Sequence, residues 1–167
     1  MNYSTLSAAA LMLLTVGLTP LPAEEVETIF AETPGKIKEL CSAPNGTTVT
    51  VTRTGDQETL TVTGGIAACP LEVPDGETLR ISALVKGDAI ERREKGNFIQ
   101  GGRFGSYWSK PRNTWFSANV PLGSFDWMPI SFKVDVPLGT TRLQLQLGLK
   151  EASGSISFRN IRVEVVK

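Results

Sequence analysis

The second half of the chain concentrates the side chains that could recognise a ligand without covalent chemistry. Tyr107 is next to Trp108 and Trp115 is next to Phe116; successive residues of an extended strand point to opposite faces, so one ring of each pair should face outward. An exposed ring stacks on a flat ligand, whereas aromatic residues in a β-sandwich more often pack in the core. We predict that Trp108 is the stacking platform, supported by Trp115 and Tyr107, because the Gly-rich stretch 101–105 would let a ligand approach the backbone.

Polar side chains on two predicted strands could hydrogen-bond to the same ligand. Gln144 and Gln146 alternate with leucines, and Arg80 and Ser82 alternate with apolar residues of an earlier strand, so each pair shares one outward face. In a concave sheet these groups would form a polar floor, while in a convex sheet they would only be solvated. The predicted site comprises Trp108, Trp115, Tyr107, Arg80, Gln144 and Gln146.

The composition gives little support to catalysis. The chain has no histidine, which excludes a Ser-His-Asp triad, a Cys-His pair and every His-ligated metal site. A glycosidase needs two carboxyl groups roughly 5–9 Å apart, and Asp126, Asp135 and Glu151 provide no such pair on one strand face. We therefore predict a protein that is not an enzyme.

The charge balance argues against nucleic acid as a partner. Lys plus Arg number 17 and Asp plus Glu number 17, so the formal net charge is zero. A chain with this balance has no electrostatic attraction to phosphate backbones. We expect no nucleic-acid partner.

The N-terminal 23 residues resemble an export signal. Residues 1–23 carry no Asp, Glu, Lys or Arg, and a short apolar run from Ala8 to Leu18 is followed by Pro22-Ala23. This pattern predicts a signal peptide cleaved after Ala23, so that the mature protein is secreted or periplasmic. An uncleaved N-terminal membrane anchor is the alternative.

The two cysteines are placed to pair. The segments flanking Gly55-Asp56 form a predicted β-hairpin with Val49 opposite Val62. Continued outward, this register brings Cys41 close to Cys69. An oxidising compartment favours a disulfide between them, and two buried free thiols are the alternative.

Alternation of apolar and polar residues predicts the architecture. It runs through the segments 78–85, 130–136 and 143–149, as expected for strands with one buried face. The spacing of strands and turns predicts an all-β antiparallel sandwich of the jelly-roll type with about eight or nine strands. We assign residues 24–44 to a lead-in segment, with a helical turn or an extended arm, and residues 45–167 to the sandwich.

Two local patterns carry further predictions. The buried parity changes from Ile156 and Phe158 to Ile161 and the residues after it, which indicates either a β-bulge after Arg159 or a turn into a new strand. The charged stretch 86–95 is predicted to be a solvated loop.

Three segments resemble the galactose-binding-like jelly rolls. Pro74-Asp-Gly-Glu-Thr-Leu-Arg-Ile-Ser-Ala-Leu-Val-Lys86 resembles the strand after their Pro-x-Gly turn, and Ser124-Phe-Asp-Trp-Met-Pro resembles their Gly-x-Phe-Asp-Trp segment, in which Trp127 is a core residue. Residues 143–158 resemble their Leu-x-Leu-Gly-Leu…Ser-Gly-x-x-x-Phe ending. The resemblance covers residues 45–167.

The resemblance implies a function, because this family includes carbohydrate-binding modules of exported glycoside hydrolases. It implies non-catalytic binding of a glycan on the concave sheet face or the loop rim, by the site predicted above. The alternative is a structural or protein-interaction domain that has a protein partner and no sugar site.

One departure from the family concerns a metal. Many relatives place carboxylates after the final Phe of this ending, where they help to hold a structural Ca²⁺, but this chain has Arg159 and Asn160 there. Ca²⁺ requires several oxygen ligands and negative charge. We therefore expect no cofactor, with Asn160 as the one remaining donor of a carbonyl oxygen at that position.

Overall fold

The computed structural model describes residues 24–31, 36–93 and 101–167. The predicted signal peptide lies outside these residues, as does the end of the charged stretch at 94–95. The described elements, in chain order, are β1 (Val26–Ala31), α1 (Lys36–Leu40), β2 (Thr48–Thr54), β3 (Gln57–Thr63), β4 (Ile66–Glu72), β5 (Thr78–Arg92), β6 (Gly101–Trp108), β7 (Thr114–Asn119), β8 (Gly123–Asp135), β9 (Arg142–Lys150) and β10 (Ala152–Val166).

These strands form two antiparallel sheets. One sheet has six strands in the order β2-β3-β10-β5-β8, with β1 also paired to β10, and the other has four in the order β4-β9-β6-β7. The antiparallel β-sandwich predicted from the sequence is thus confirmed, with ten strands in the described residues instead of eight or nine. Within them, no helix is long and apolar enough to cross a membrane.

The core lies between the sheets and includes most of the predicted alternating residues. Ile81, Leu145 and Ile156 are at most 1% exposed. Phe104 of β6 contacts two aromatic rings of the six-stranded sheet, with its ring centroid 5.7 Å from that of Phe132 and 5.9 Å from that of Phe158. These contacts hold β6 in a fixed position against the opposite sheet.

The predicted hairpin and disulfide are both present. Val49 pairs with Val62, and Cys41 is bonded to Cys69 across a sequence separation of 28 residues. The hairpin does not continue outward, however: the chain crosses at Gly64-Gly65, and β4 pairs with β9 of the other sheet. An isolated bridge between residues 42 and 68 sets the two cysteines side by side there.

The change of parity near the C-terminus is a β-bulge. β10 is one continuous strand, and its register against β5 shifts between Arg159 and Arg162. Asn160 adopts a φ of 54° at this point. A single extra residue turns the next side chain to the same face, so Phe158 and Ile161 are both buried.

The charged stretch differs from the prediction made for it. β5 continues through the described part of the charged stretch to Arg92, so this part is a strand and not a loop. Ala89, with a φ of 48°, and two register shifts allow β5 to bend there. In the lead-in segment, β1 pairs with β10 and buries Phe30, while α1 buries Ile37.

Candidate functional site

Apart from Trp108, the predicted site residues divide between the outer faces of the two sheets. Tyr107, Trp115 and Gln144 lie on β6, β7 and β9 of the four-stranded sheet. Arg80 lies on β5 of the six-stranded sheet, where its guanidinium binds the carboxylate of Glu24. Because the core separates the two outer faces, Arg80 and Gln144 cannot contact one small ligand together.

Trp108 is not an exposed platform. Its side chain is 3% exposed and belongs to the core, and its ring stacks on Phe116 with centroids 5.4 Å apart. The adjacent Tyr107 has the opposite orientation, as strand geometry requires. The core alternative is therefore correct for Trp108, and the outward ring at this end of β6 is Tyr107.

Tyr107 and Trp115 form the aromatic part of the outer surface. Their rings stack with centroids 5.1 Å apart and planes inclined by 26°. The Tyr107 hydroxyl donates a hydrogen bond of 3.0 Å to Oδ1 of Asn113, which fixes the phenol ring. Trp115 is 56% exposed despite the stacking, because β7 is an edge strand. Its indole therefore presents apolar surface to solvent.

Amide side chains extend this aromatic pair across the sheet. Strand pairing places Tyr107 between Trp115 and Gln144, so the three form one cross-strand row. The adjacent row contains Gly105 and Gln146. Rows on one face are about 7 Å apart. We call this surface the aromatic–amide face, defined by Tyr107, Trp115, Gln144, Gln146, Gly105 and Arg103.

Gly105 is a position near the centre of this face where neighbouring atoms approach the backbone closely. A Cβ atom at this position would lie 2.3 Å from the backbone oxygen of Phe116 and 3.2 Å from Nε of Arg103. Neither the edge strand nor the neighbouring guanidinium leaves space for a side chain. Gly105 is buried, and the absence of a side chain at this position lets Arg103 and the edge strand pack closely against the backbone.

Arg103 is a candidate residue that the sequence reasoning missed. It lies two residues before Gly105 on the same face, and its Nε donates a hydrogen bond of 3.2 Å to Oε1 of Gln146. Burial lowers the pKa of Arg103. The signal that could have found it is parity, because residues 103, 105 and 107 share one face of a strand.

Shallow cavities flank the two glutamines. One of about 220 Å³ has Tyr107, Gln144 and Pro70 in its lining. Another, of about 430 Å³, has Gln146, Ala68 and Ile66 in its lining. Both offer hydrogen-bonding groups beside apolar carbon, the combination found in sites for small polar molecules.

The outer face of the six-stranded sheet has a different character. Glu24 binds both Arg80 and Lys133, and Lys86 lies 3.2 Å from Oδ1 of Asp126. Three of its cations, Arg80, Lys86 and Lys133, thus contact carboxylates of the same chain.

Trp127 also lies on the six-stranded sheet's outer face and not in the core expected from the resemblance. It is half-buried, and the guanidinium of Arg159 lies 4.2 Å from its ring centroid. Nε of Arg159 also donates a hydrogen bond of 2.6 Å to Thr59. The contact between Arg159 and Trp127 is a cation–π pair, and the hydrogen bond to Thr59 of β3 holds the guanidinium in position.

The surroundings of Asn160 do not fit a Ca²⁺ site. The adjacent Arg159 brings a positive charge, and it is held in place by its contacts with Trp127 and Thr59. In residues 24–31, 36–93 and 101–167, no group of three or more His, Cys, Asp or Glu side chains could hold a metal ion. Ca²⁺ binding requires a more anionic oxygen set.

Known structures share this architecture. The chain is similar to the CBM22-1 xylan-binding domain of Paenibacillus barcinonensis Xyn10C, with a TM-score of 0.53 and 16% identity over 86% of this chain and 94% of that one. It is also similar to the CBM22-1-CBM22-2 tandem domain of the same protein, with a TM-score of 0.60 and 15% identity over 88% of this chain and 47% of that one.

A third similar structure contains the CBM22-1 and GH10 modules of Clostridium thermocellum xylanase 10B complexed with xylohexaose, with a TM-score of 0.59 and 11% identity over 82% of this chain and 28% of that one. No family model and no curated protein sequence matches the chain. The fold is therefore that of the carbohydrate-binding-module β-sandwiches, in agreement with the resemblance found in the sequence.

Proposed function

We propose that the protein is an exported, non-catalytic carbohydrate-binding protein that binds a glycan on the aromatic–amide face. The observation that carries this proposal is the exposed Trp115 stacked on Tyr107, in one cross-strand row with Gln144. Similar folds in a xylan-binding domain and in xylanase modules complexed with xylohexaose support it.

The chemistry of this face suits a sugar. Pyranose rings have apolar C–H faces that stack on aromatic planes, and their hydroxyl groups both donate and accept hydrogen bonds. Trp115 provides the plane, and the amides of Gln144 and Gln146 provide donors and acceptors. Trp108 has no direct role in binding, since it holds the strand from the core side.

Binding can be tested by screening the mature chain on an array of polysaccharides that includes xylan and xylohexaose. The Trp115→Ala variant should then lose about 1–3 kcal/mol of binding free energy for the selected glycan. This loss corresponds to roughly 5- to 150-fold in Kd, which isothermal titration calorimetry resolves.

The matched control is Trp127→Ala, which makes the same change on the other outer face. Its Kd should stay within about twofold of the unmodified protein. Equal losses in the two variants would contradict the assignment of the aromatic–amide face. A chain that binds no glycan on the array would favour the alternative of a protein-interaction domain.

Export is part of the proposal because the Cys41–Cys69 disulfide is typical of oxidising compartments. The charge-free residues 1–23 would be removed, and Glu24 would become the first residue. N-terminal sequencing of exported protein should give Glu-Glu-Val. Material that begins at Met1 would contradict cleavage.

A further inference from the structure

A cationic cavity lies at the end of the aromatic–amide face that is remote from Tyr107. It has a volume of about 250 Å³, and its lining includes Arg92, Arg103 and Lys150. Arg92 belongs to β5, Arg103 to β6 and Lys150 to β9, so residues of both sheets line the cavity. The lining residues in the described part of the chain include no Asp or Glu. The protein thus concentrates positive charge here although its net charge is zero.

Arg103 is held in a way that favours an anionic ligand. It is half-buried, and its Nε is bonded to the neutral amide oxygen of Gln146. Loss of hydration makes a guanidinium costly to bury unless a charge compensates it. A carboxylate is the matching group, because its two oxygens accept parallel hydrogen bonds from the guanidinium fork.

The cavity is within reach of a ligand stacked on the aromatic pair. Arg103 and Tyr107 are four residues apart on β6, which corresponds to about 13 Å along the strand. Nε of Arg103 lies 3.2 Å from the Cβ position of Gly105, so the guanidinium extends beside the row of Gly105 and Gln146, towards the aromatic rings. A short oligosaccharide could therefore stack on Trp115 and place an acidic group against Arg103.

We propose that the glycan bound by the aromatic–amide face is acidic, a uronic-acid-containing oligosaccharide whose carboxylate binds the guanidinium of Arg103. This inference rests on the proposed function and adds the chemical class of the ligand to it. The other polar groups of the cavity, Ser117 and Asn119, are placed to bind hydroxyl groups next to that carboxylate.

The test uses pairs of probes that differ only in charge. Oligosaccharides of galacturonic, glucuronic and mannuronic acid are each compared with the same oligosaccharide after reduction of its carboxyl groups to alcohols. The unmodified chain should bind at least one acid at least tenfold more tightly than its reduced counterpart. This preference should weaken as salt is raised from 0.05 to about 0.5 M, because screening reduces charge pairing.

Three variants at two arginine positions locate the effect. Arg103→Gln should reduce the preference for the acid over its reduced counterpart to less than threefold. Arg80→Gln, which removes one positive charge from the other outer face, should keep the preference. Arg103→Lys retains the positive charge but lacks the forked guanidinium, and its preference for the acid should fall at least fivefold. This variant also tests the proposal if Arg103→Gln does not fold.

Each other outcome is decisive. Equal binding of every acid and its reduced form would overturn the acidic class while leaving glycan binding intact. Equal losses in Arg103→Gln and Arg80→Gln would mean a response to overall charge and would also overturn it. A chain that binds neither these probes nor any glycan on the array would contradict the proposed function itself.

Discussion

The outer faces of the two sheets are built from the same alternation of polar and apolar residues, but they satisfy their polar groups differently. On the six-stranded sheet, Arg80 and Lys133 share Glu24, and Arg159 covers Trp127. On the four-stranded sheet, Trp115 is 56% exposed and the guanidinium of Arg103 is bonded to a neutral amide.

Only one of the two faces has groups that would gain contacts from a ligand. A face whose cations and rings are covered by its own side chains gains little from a further partner. A face that leaves an aromatic ring in water and a guanidinium half-desolvated gains both apolar burial and charge pairing when a ligand binds. The four-stranded sheet is thus the binding layer in this account, and the six-stranded sheet supports it.

The largest expected effect separates the two tryptophans of the binding layer. Trp108→Ala removes a core side chain and should cost roughly 3–5 kcal/mol of unfolding free energy. Trp115→Ala removes an exposed ring and should cost less than about 1 kcal/mol. Urea unfolding of both variants, followed by circular dichroism, measures the difference. Similar costs would remove the distinction between a buried and an exposed ring.

The disulfide should have the next largest effect, because it ties β4 of the binding layer to the segment before β2. Closing a loop with a sequence separation of 28 residues stabilises the fold by about 3–4 kcal/mol in the chain-entropy model. The double variant Cys41→Ala, Cys69→Ala should therefore unfold at a lower urea concentration than the oxidised parent. The control is the reduced parent, which should lose a similar amount; no change on reduction would contradict the prediction.

A smaller effect is expected from the ion pairs of the supporting sheet. Glu24→Gln leaves Arg80 and Lys133 without their shared carboxylate, and partly exposed pairs of this kind contribute about 0–1 kcal/mol. Thermal unfolding at low and high salt measures this contribution. Glycan binding should not change. Weaker glycan binding in Glu24→Gln would mean that the supporting face takes part in recognition.

The smallest effect concerns Asp126, a fully exposed residue of β8 in the six-stranded sheet. A backbone hydrogen bond from Trp127, followed by the contact with Lys86, lowers the pKa of Asp126. A lowered pKa stabilises the fold at pH values above the unfolded pKa, and this contribution is lost as the pH falls through the folded pKa. Asp126→Asn should therefore flatten the acid limb of the stability profile slightly and leave neutral pH almost unaffected. A steeper acid limb in the variant would have the wrong sign.

The sequence was sufficient for most of the fold because the relevant signals are local. Strict alternation identified the buried residues of β5, β8 and β9. The paired valines at 49 and 62 fixed the hairpin register, and the parity change after Phe158 located the bulge. Each of these features depends on neighbours along the chain or across a single turn.

The site was harder to predict because it depends on long-range choices. The chain changes sheet again between β8 and β9, and Gln144 on β9 therefore lies on a different sheet from Arg80 on β5. β4 gave a weak strand signal because it contains Pro70, which is tolerated since β4 is an edge strand. Tyr107 and Trp108 point to opposite faces, and the sequence has to show which of them is the outer one. The glycines earlier in the strand have no side chains, so no apolar–polar alternation there identifies the outer face.

Glycan binding on the aromatic–amide face can be observed by NMR titration. The three tryptophans of the chain give three indole N–H signals, and each reports on a different region. Trp115 lies on the aromatic–amide face, Trp127 on the opposite outer face and Trp108 in the core. On titration with the glycan selected by the array, the account predicts the largest shift at Trp115, with shifts at the side-chain amides of Gln144 and Gln146. The largest shift at Trp127, with the Trp115 signal unchanged, would contradict it.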